Sequence, residues 1–234
     1  MSIHHLFPFD KWNFKTGTVL HNLPEEDINL LMAHHTVQSY DKGQLLFKEG
    51  MIPSGIFLIR DGIVKKFRSD NNGREQIIYV AAPGELIGYH ALLSEERYPD
   101  SAAALEKCVI SFIPKEDFLA TIQQSAEFNK RLLKTLSHEF TVLINNMSAL
   151  SQKSVRERLA LQLIILREKF KNDFKPGMDV TIDISREDLA AVVGTGREHA
   201  IRLLSELKED GIVETKGSKI IIKNVGALLQ IVNL

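Results

Sequence analysis

Between Asp41 and Pro114 the chain is cut into short β-rich runs, LLFKEG, GIFLIRDG, IVKKFRSDNNG, QIIYVAAPGEL and CVISFIP, by Asp61-Gly62, Asn72-Gly73 and Pro83-Gly84. Such dipeptides accept the unusual backbone angles of tight turns, so strands can reverse every few residues. That spacing indicates an antiparallel β sandwich or barrel. Ahead of it, PEEDINLLMAHH (residues 24–35) reads as a short helix with acidic residues in its first turn.

The pattern changes after Pro114. KEDFLATIQ predicts a short helix, and from residue 126 to 150 apolar residues fall at Phe128, Leu132, Leu136, Phe140, Leu143, Met147 and Leu150. Steps of three and four make one stripe along a long helix. So long and narrow a stripe, lying between two domains, suits a dimer seam better than a helix buried in its own domain. The polar SQKS (151–154) is the expected hinge, followed by the amphipathic ERLALQLIILREKF, a Pro176-Gly177 turn and the alternating strand DVTIDI. The tail, IVETKGSKIIIKN, turns back on itself at Lys216-Gly217-Ser218. A chain of 234 residues divided this way gives a β domain over 1–125, a dimerisation helix over 126–150 and a C-terminal domain over 151–234.

Within the last segment, Ser185 to Asp188 has the form of a capping box, which starts a helix. Leu189, Val192 and Val193 supply its buried side, Gly194 permits a sharp turn, and Thr195 is placed to cap the next helix. That order is a helix-turn-helix, and the hairpin after it is a wing. In the second helix Ala200, Leu203, Leu204 and Leu207 share one face; Glu198, His199, Arg202, Ser205 and Glu206 share the opposite one, with Arg197 between them at the N-terminal end. Arginine presents two donors to guanine O6 and N7, and a carboxylate accepts from cytosine N4, so the free face has the chemistry to read bases. The same residues also fit a plain surface helix: Glu198 could complete a capping box on Thr195, and Arg202 and Glu206 could pair at i,i+4.

Composition narrows the function classes. Residues 1–150 hold 15 Lys/Arg against 18 Asp/Glu, and residues 151–234 hold 14 against 12, so the C-terminal part leans toward an anionic partner. Cys108 is the only cysteine, which excludes an intrachain disulfide and an iron–sulfur cluster held by four thiolates of one chain; it reads as a packed core thiol. The pairs His4-His5 and His34-His35 lack further ligands at metal spacing, and Tyr89 and His90 are more simply structural than haem ligands, so neither metal nor cofactor is expected. No apolar run approaches the ~20 residues of a membrane span, and the N-terminus lacks the layout of a secretory signal. A cytoplasmic protein is expected. No nucleophile has a placed base and no phosphate loop occurs, so an enzyme is not expected.

SREDLAAVVGTGREHAIRLLSELKEDGIVETKGSKIII resembles the DNA-binding domain of the bacterial cyclic-AMP receptor/fumarate-nitrate regulator family, and the likeness runs back through the long helix and the β domain over nearly the whole chain. It implies an α+β chain: an N-terminal antiparallel β-roll of the cyclic-nucleotide-binding type, a long dimerisation helix and a C-terminal winged helix-turn-helix. It implies a homodimeric transcriptional regulator on a palindromic operator. In the receptor branch an Arg-Glu pair, followed after three residues by Arg, reads a TGTGA-type half-site; those places are held here by Arg197, Glu198 and Arg202, with Thr195, His199 and Ser185 beside them. Gly196 and His199 depart from the receptor's serine and threonine around that pair.

PGELIGYHALLSEERYPDSAAAL is similar to the family's phosphate-binding cassette and marks Gly84, Glu85, Gly88, Tyr89, His90, Arg97, Asp100 and Ser101 as the candidate effector pocket. By the same resemblance, the ribose-holding glutamate falls at Tyr89, the phosphate-pairing arginine falls near Pro99-Asp100, and Leu143-Ile144 stand where the adenine is met. Asp in place of Arg sets like charges together, so an effector other than cyclic AMP is expected. The implied partners are double-stranded DNA, a second copy of the chain, an unidentified small-molecule effector and RNA polymerase. A second class also fits the sequence: a ligand-binding adaptor whose winged helix meets protein, which predicts no steep salt dependence of DNA binding.

Overall fold

A computed structural model describes residues 7–14, 16–171 and 179–233; His4-His5 and the Pro176-Gly177 turn lie outside them. The chain forms two compact units, one of Phe14–Arg68 with Ile78–Thr141, the other of Met1–Asn13, Ser69–Ile77 and Val142–Leu234.

The first unit is built from α1 (Glu25–Leu31), β1 (Thr36–Tyr40), β2 (Leu45–Phe47), β3 (Gly55–Asp61), most of β4 (Val64–Ser69) and of β5 (Glu75–Ala81), β6 (Leu86–Ile87), α2 (Tyr89–Leu93), β7 (Ser101–Ala104), β8 (Cys108–Pro114), α3 (Lys115–Gln124) and the first half of α4 (Ala126–Gln152). The strands make two four-stranded sheets, ordered β1-β8-β3-β6 and β2-β7-β4-β5. The antiparallel pairing is what the turn dipeptides indicate, and the roll is what the resemblance implies. Central β3 pairs with β8 from Gly55↔Pro114 to Asp61↔Val109, and its first five residues are all buried. Near-continuous GIFLI is the sequence of a strand covered on both faces. Leu31, Ile56, Tyr89, Ile113, Phe118 and Phe128 fill the core between roll and helices, with the Phe118 and Phe128 rings edge-on at 6.0 Å.

Cys108 is wholly buried, and its Sγ donates to the Ile63 and Glu106 carbonyls at 3.3 Å. Burial pushes the thiol up to about 11, so almost no thiolate exists at pH 8. The native protein should resist iodoacetamide at pH 8 while the denatured chain is alkylated, as intact mass will show; rapid native labelling would mean that this edge of the roll opens.

The stripe of α4 divides. Phe128 and Leu132 are buried in the roll core and Leu136 packs against it, so these three are taken up within the chain. Phe140 (66% exposed), Leu143, Met147 and Leu150 stay in solvent, joined by Leu133 and Ile144, which the single-stripe reading omits. Periodicity locates a face but not what covers it, so one stripe is buried at one end and exposed at the other.

The second unit holds the rest of α4, then α5 (Val155–Lys169), β9 (Thr181–Asp183), α6 (Arg186–Val193), α7 (Arg197–Glu209), β10 (Val213–Lys216), β11 (Lys219–Ile222) and α8 (Val225–Val232). The break between helices is shorter than SQKS: α4 continues to Gln152, and Ser154 caps α5 in a capping box with Glu157. β9, β11 and β10 form one antiparallel sheet, with Gly217-Ser218 joining the paired Lys216 and Lys219. Helix α8 closes the unit; Asn224 caps it, and Leu228 and Val232 are buried.

Candidate nucleic-acid interface

Helix α6 starts where the hydroxyl of Ser185 accepts from the Asp188 amide at 2.9 Å, and the same hydroxyl donates to the Asp188 carboxylate at 2.7 Å. It ends at Gly194, whose φ of +72° reverses the chain at little cost. A Cβ there would also stand 3.1 Å from Leu150. Arg158 on α5 fixes the turn from behind, donating to the Val193 carbonyl at 3.0 Å and the Gly194 carbonyl at 3.2 Å. These are carbonyls that the end of a helix leaves unpaired.

Helix α7 begins one residue later than Thr195 requires. Its N-cap is Gly196 without a side-chain cap, and the Thr195 hydroxyl lies 3.3 Å from His199 Nδ1 instead. Neither the Thr195 cap nor a Glu198 capping box is formed. Ala200, Leu203, Leu204 and Leu207 are buried. Arg197, Glu198 and Arg202 are exposed, while His199 is half-buried. The i,i+4 pair is not formed either: Glu206 accepts from Arg156 Nη1 at 2.8 Å, and Arg156 Nη2 reaches Asp210 at 2.8 Å. This fork from α5 holds the rear of α7 and leaves its front half free of that partner.

The wing is held from α6. Arg186 donates to the carbonyls of Gly217 (2.8 Å) and Ser218 (3.3 Å) at the hairpin tip, beside exposed Lys216 and Lys219. Glu187, next along, pairs through Oε1 with Nε of Arg197. Four consecutive residues, Ser185 to Asp188, therefore start α6, anchor the wing and contact α7. Spacing reveals the cap; the partners of Arg186, Glu187, Arg156 and Arg158 lie too far along the chain for any local pattern to find.

The roll residues of the cassette come together only in part. Gly84 and Gly88 take φ of +86° and +89°, the latter starting α2. Glu85 is buried and accepts from the Tyr79 hydroxyl at 2.5 Å. Tyr89 is buried, and its hydroxyl donates to one oxygen of buried Glu139 on α4 while His90 Nε2 meets the other at 2.7 Å. Burial and the Glu139 carboxylate raise the Tyr89 phenol far above the ordinary range, so it stays a donor. Asp100 is buried against Lys66 Nζ at 3.0 Å, and Ser101 accepts from the Glu49 amide. Arg97 lies elsewhere, on a cavity of about 700 Å³ lined also by Ile52, Leu92, Lys115 and Leu119. None of the other cassette candidates lines that cavity. Lys66 carried a signal: it shares strand parity with buried Val64. His34 is exposed and meets Asp117 at 2.9 Å. Among the described residues no group of three or more His, Cys, Asp or Glu could hold a metal, and no helix is long and apolar enough to cross a membrane.

A β-roll of this topology followed by a winged helix-turn-helix defines a class of DNA-binding regulators in which one chain carries both modules. Comparison with known proteins agrees. The model of the cyclic nucleotide-binding domain matches residues 37–125, and that of the Crp-like helix-turn-helix domain matches residues 157–231. The cyclic AMP receptor protein of Thermus thermophilus is 27% identical over 217 residues, covering 93% of this chain and 97% of that protein. The fumarate and nitrate reduction regulatory protein of Escherichia coli is 29% identical over 212 residues, covering 90% and 82%. In fold, a CRP/FNR-family transcriptional regulator from Thermus thermophilus superposes with a TM-score of 0.72 at 20% identity, over 85% of this chain and 99% of that one. The chain belongs to the CRP/FNR family of transcriptional regulators.

Proposed function

We propose that the protein acts as a homodimer on a palindromic operator, placing one α7 in each of two successive major grooves about 34 Å apart. The observation that carries the reading is the exposed front of α7, where Arg197, Glu198 and Arg202 lie opposite a buried Ala200-Leu203-Leu204-Leu207 face. Arg197 and Arg202 present guanidinium forks to guanine edges and Glu198 an acceptor to cytosine. His199, Thr195 and Ser185 sit beside them toward the phosphates. Leu133, Phe140, Ile144 and Met147, all at least half exposed on α4, supply the apolar seam.

The roll answers to an effector other than cyclic AMP. Asp100 stands near the place where the family's receptor branch puts its phosphate-pairing arginine, and Lys66 neutralises it from within. Tyr89, at the ribose position, is turned into the core and spent on Glu139. Micromolar binding of cyclic AMP in a calorimeter would contradict this part.

Selection from a random duplex library at physiological salt tests the reading. Wild type should enrich a palindrome with TGTGA-like arms. Arg197→Ala should cost about 1–3 kcal/mol on that operator and relax preference at one base pair per arm. A uniform loss on all sequences would make Arg197 a phosphate contact, and tight binding by a stable monomer would end the dimer reading.

A further inference from the structure

We propose that Glu187 is a positioning residue that sets how sharply Arg197 discriminates its base. The inference rests on the reading that Arg197 meets a base edge. Glu187 occupies the first turn of α6, and its Oε1 forms an ion pair with Nε of Arg197, the first residue of α7. The two side chains are 65% and 58% exposed, and an ion pair so placed adds little to folding stability. An acid in the first turn of α6 favours the helix N-terminus, but that role does not need its carboxylate to reach Arg197.

Its surroundings make the acid costly for DNA affinity. Arg186, Arg197, Arg202, Lys216 and Lys219 give this part of the helix-turn-helix and wing a cationic surface, and a carboxylate there opposes every phosphate that approaches, whatever the sequence. What the carboxylate offers in return is geometry. Paired at the Nε edge, it biases the orientation of the guanidinium and leaves Nη1 and Nη2, the two parallel donors of the fork, for another partner. Those are the donors that match guanine O6 and N7. A fork held in advance fits one base edge well and cannot swing to a phosphate when the base is wrong. Glu187 itself is anchored, because Ser185 caps its turn and the neighbouring Arg186 is bonded to the wing.

The test compares wild type, Glu187→Ala, Glu187→Gln, Arg197→Ala and the Glu187→Ala/Arg197→Ala double variant in quantitative binding selections against single-base operator variants and random duplex. Glu187→Ala should bind random duplex more tightly and lose about 5–10-fold of preference, confined to the base pair that Arg197→Ala relaxes. Glu187→Gln keeps an acceptor at the same reach, so it should share the tighter non-specific binding yet retain most of the preference. In the Arg197→Ala background, loss of Glu187 should change no base preference. If Glu187→Ala tightens binding uniformly and leaves that base pair read as before, Glu187 is only a repulsive surface charge. If Arg197→Ala relaxes no base pair, base reading by Arg197 fails and this inference fails with it.

Discussion

With glutamate in place of both Phe140 and Met147, the protein should sediment as a monomer at micromolar concentration and lose about 10²–10⁴-fold in operator affinity. The first figure follows from burial: these side chains are 66% and 70% exposed, and covering each fully in a dimer contributes about 1.5–3 kcal/mol. Glutamate removes that gain and, across a two-fold axis, faces its own charge. The second follows from linkage, because separate half-site modules lose the high effective concentration that joining them provides. Both positions are exposed in the single chain, so thermal stability of the monomeric unit and its circular dichroism should stay close to wild type. An intact dimer in equilibrium sedimentation would place the seam elsewhere.

Lys66→Met should be the most damaging single change in the roll. Its ammonium and the Asp100 carboxylate lie 3.0 Å apart with each side chain only 10% exposed. Removing one partner strands a buried charge, at a cost of about 3–5 kcal/mol, whereas replacing both by apolar groups is close to neutral. Lys66→Met should lower Tm by about 10 °C or more, and Lys66→Met/Asp100→Leu should recover most of the loss. If the single variant melts like wild type, water reaches the pair and the interior is more open than the geometry indicates.

The parts legible in the sequence are those fixed by neighbours along the chain. Asp61-Gly62, Asn72-Gly73 and Pro83-Gly84 mark the strand reversals, and Ser185 with Asp188 marks the start of α6, because turns and caps are local chemistry. Helices α2 and α8 pass unnoticed since YHALL and VGALLQIV are short apolar runs that period alone cannot assign. The cap at Thr195 is expected one residue early because Gly196 has no side chain with which to announce itself. Tyr89 and Asp100 are recognisable as cassette positions, yet their partners, Glu139 and Lys66, stand on other elements and leave no trace in spacing. The exposure of Arg197 is legible from helical phase; its ion pair with Glu187 is not.

Arg186 has a consequence beyond holding the wing. Its partners at the hairpin tip are carbonyl oxygens, which accept hydrogen bonds without carrying net charge. Arg156 and Arg197, in contrast, are matched with carboxylates. The anchor of the wing is thus fixed in place by partners that do not cancel its charge, so the side chain that shapes the surface also adds to its positive potential. Holding the scaffold and setting the local potential are, at this position, the same charge used twice.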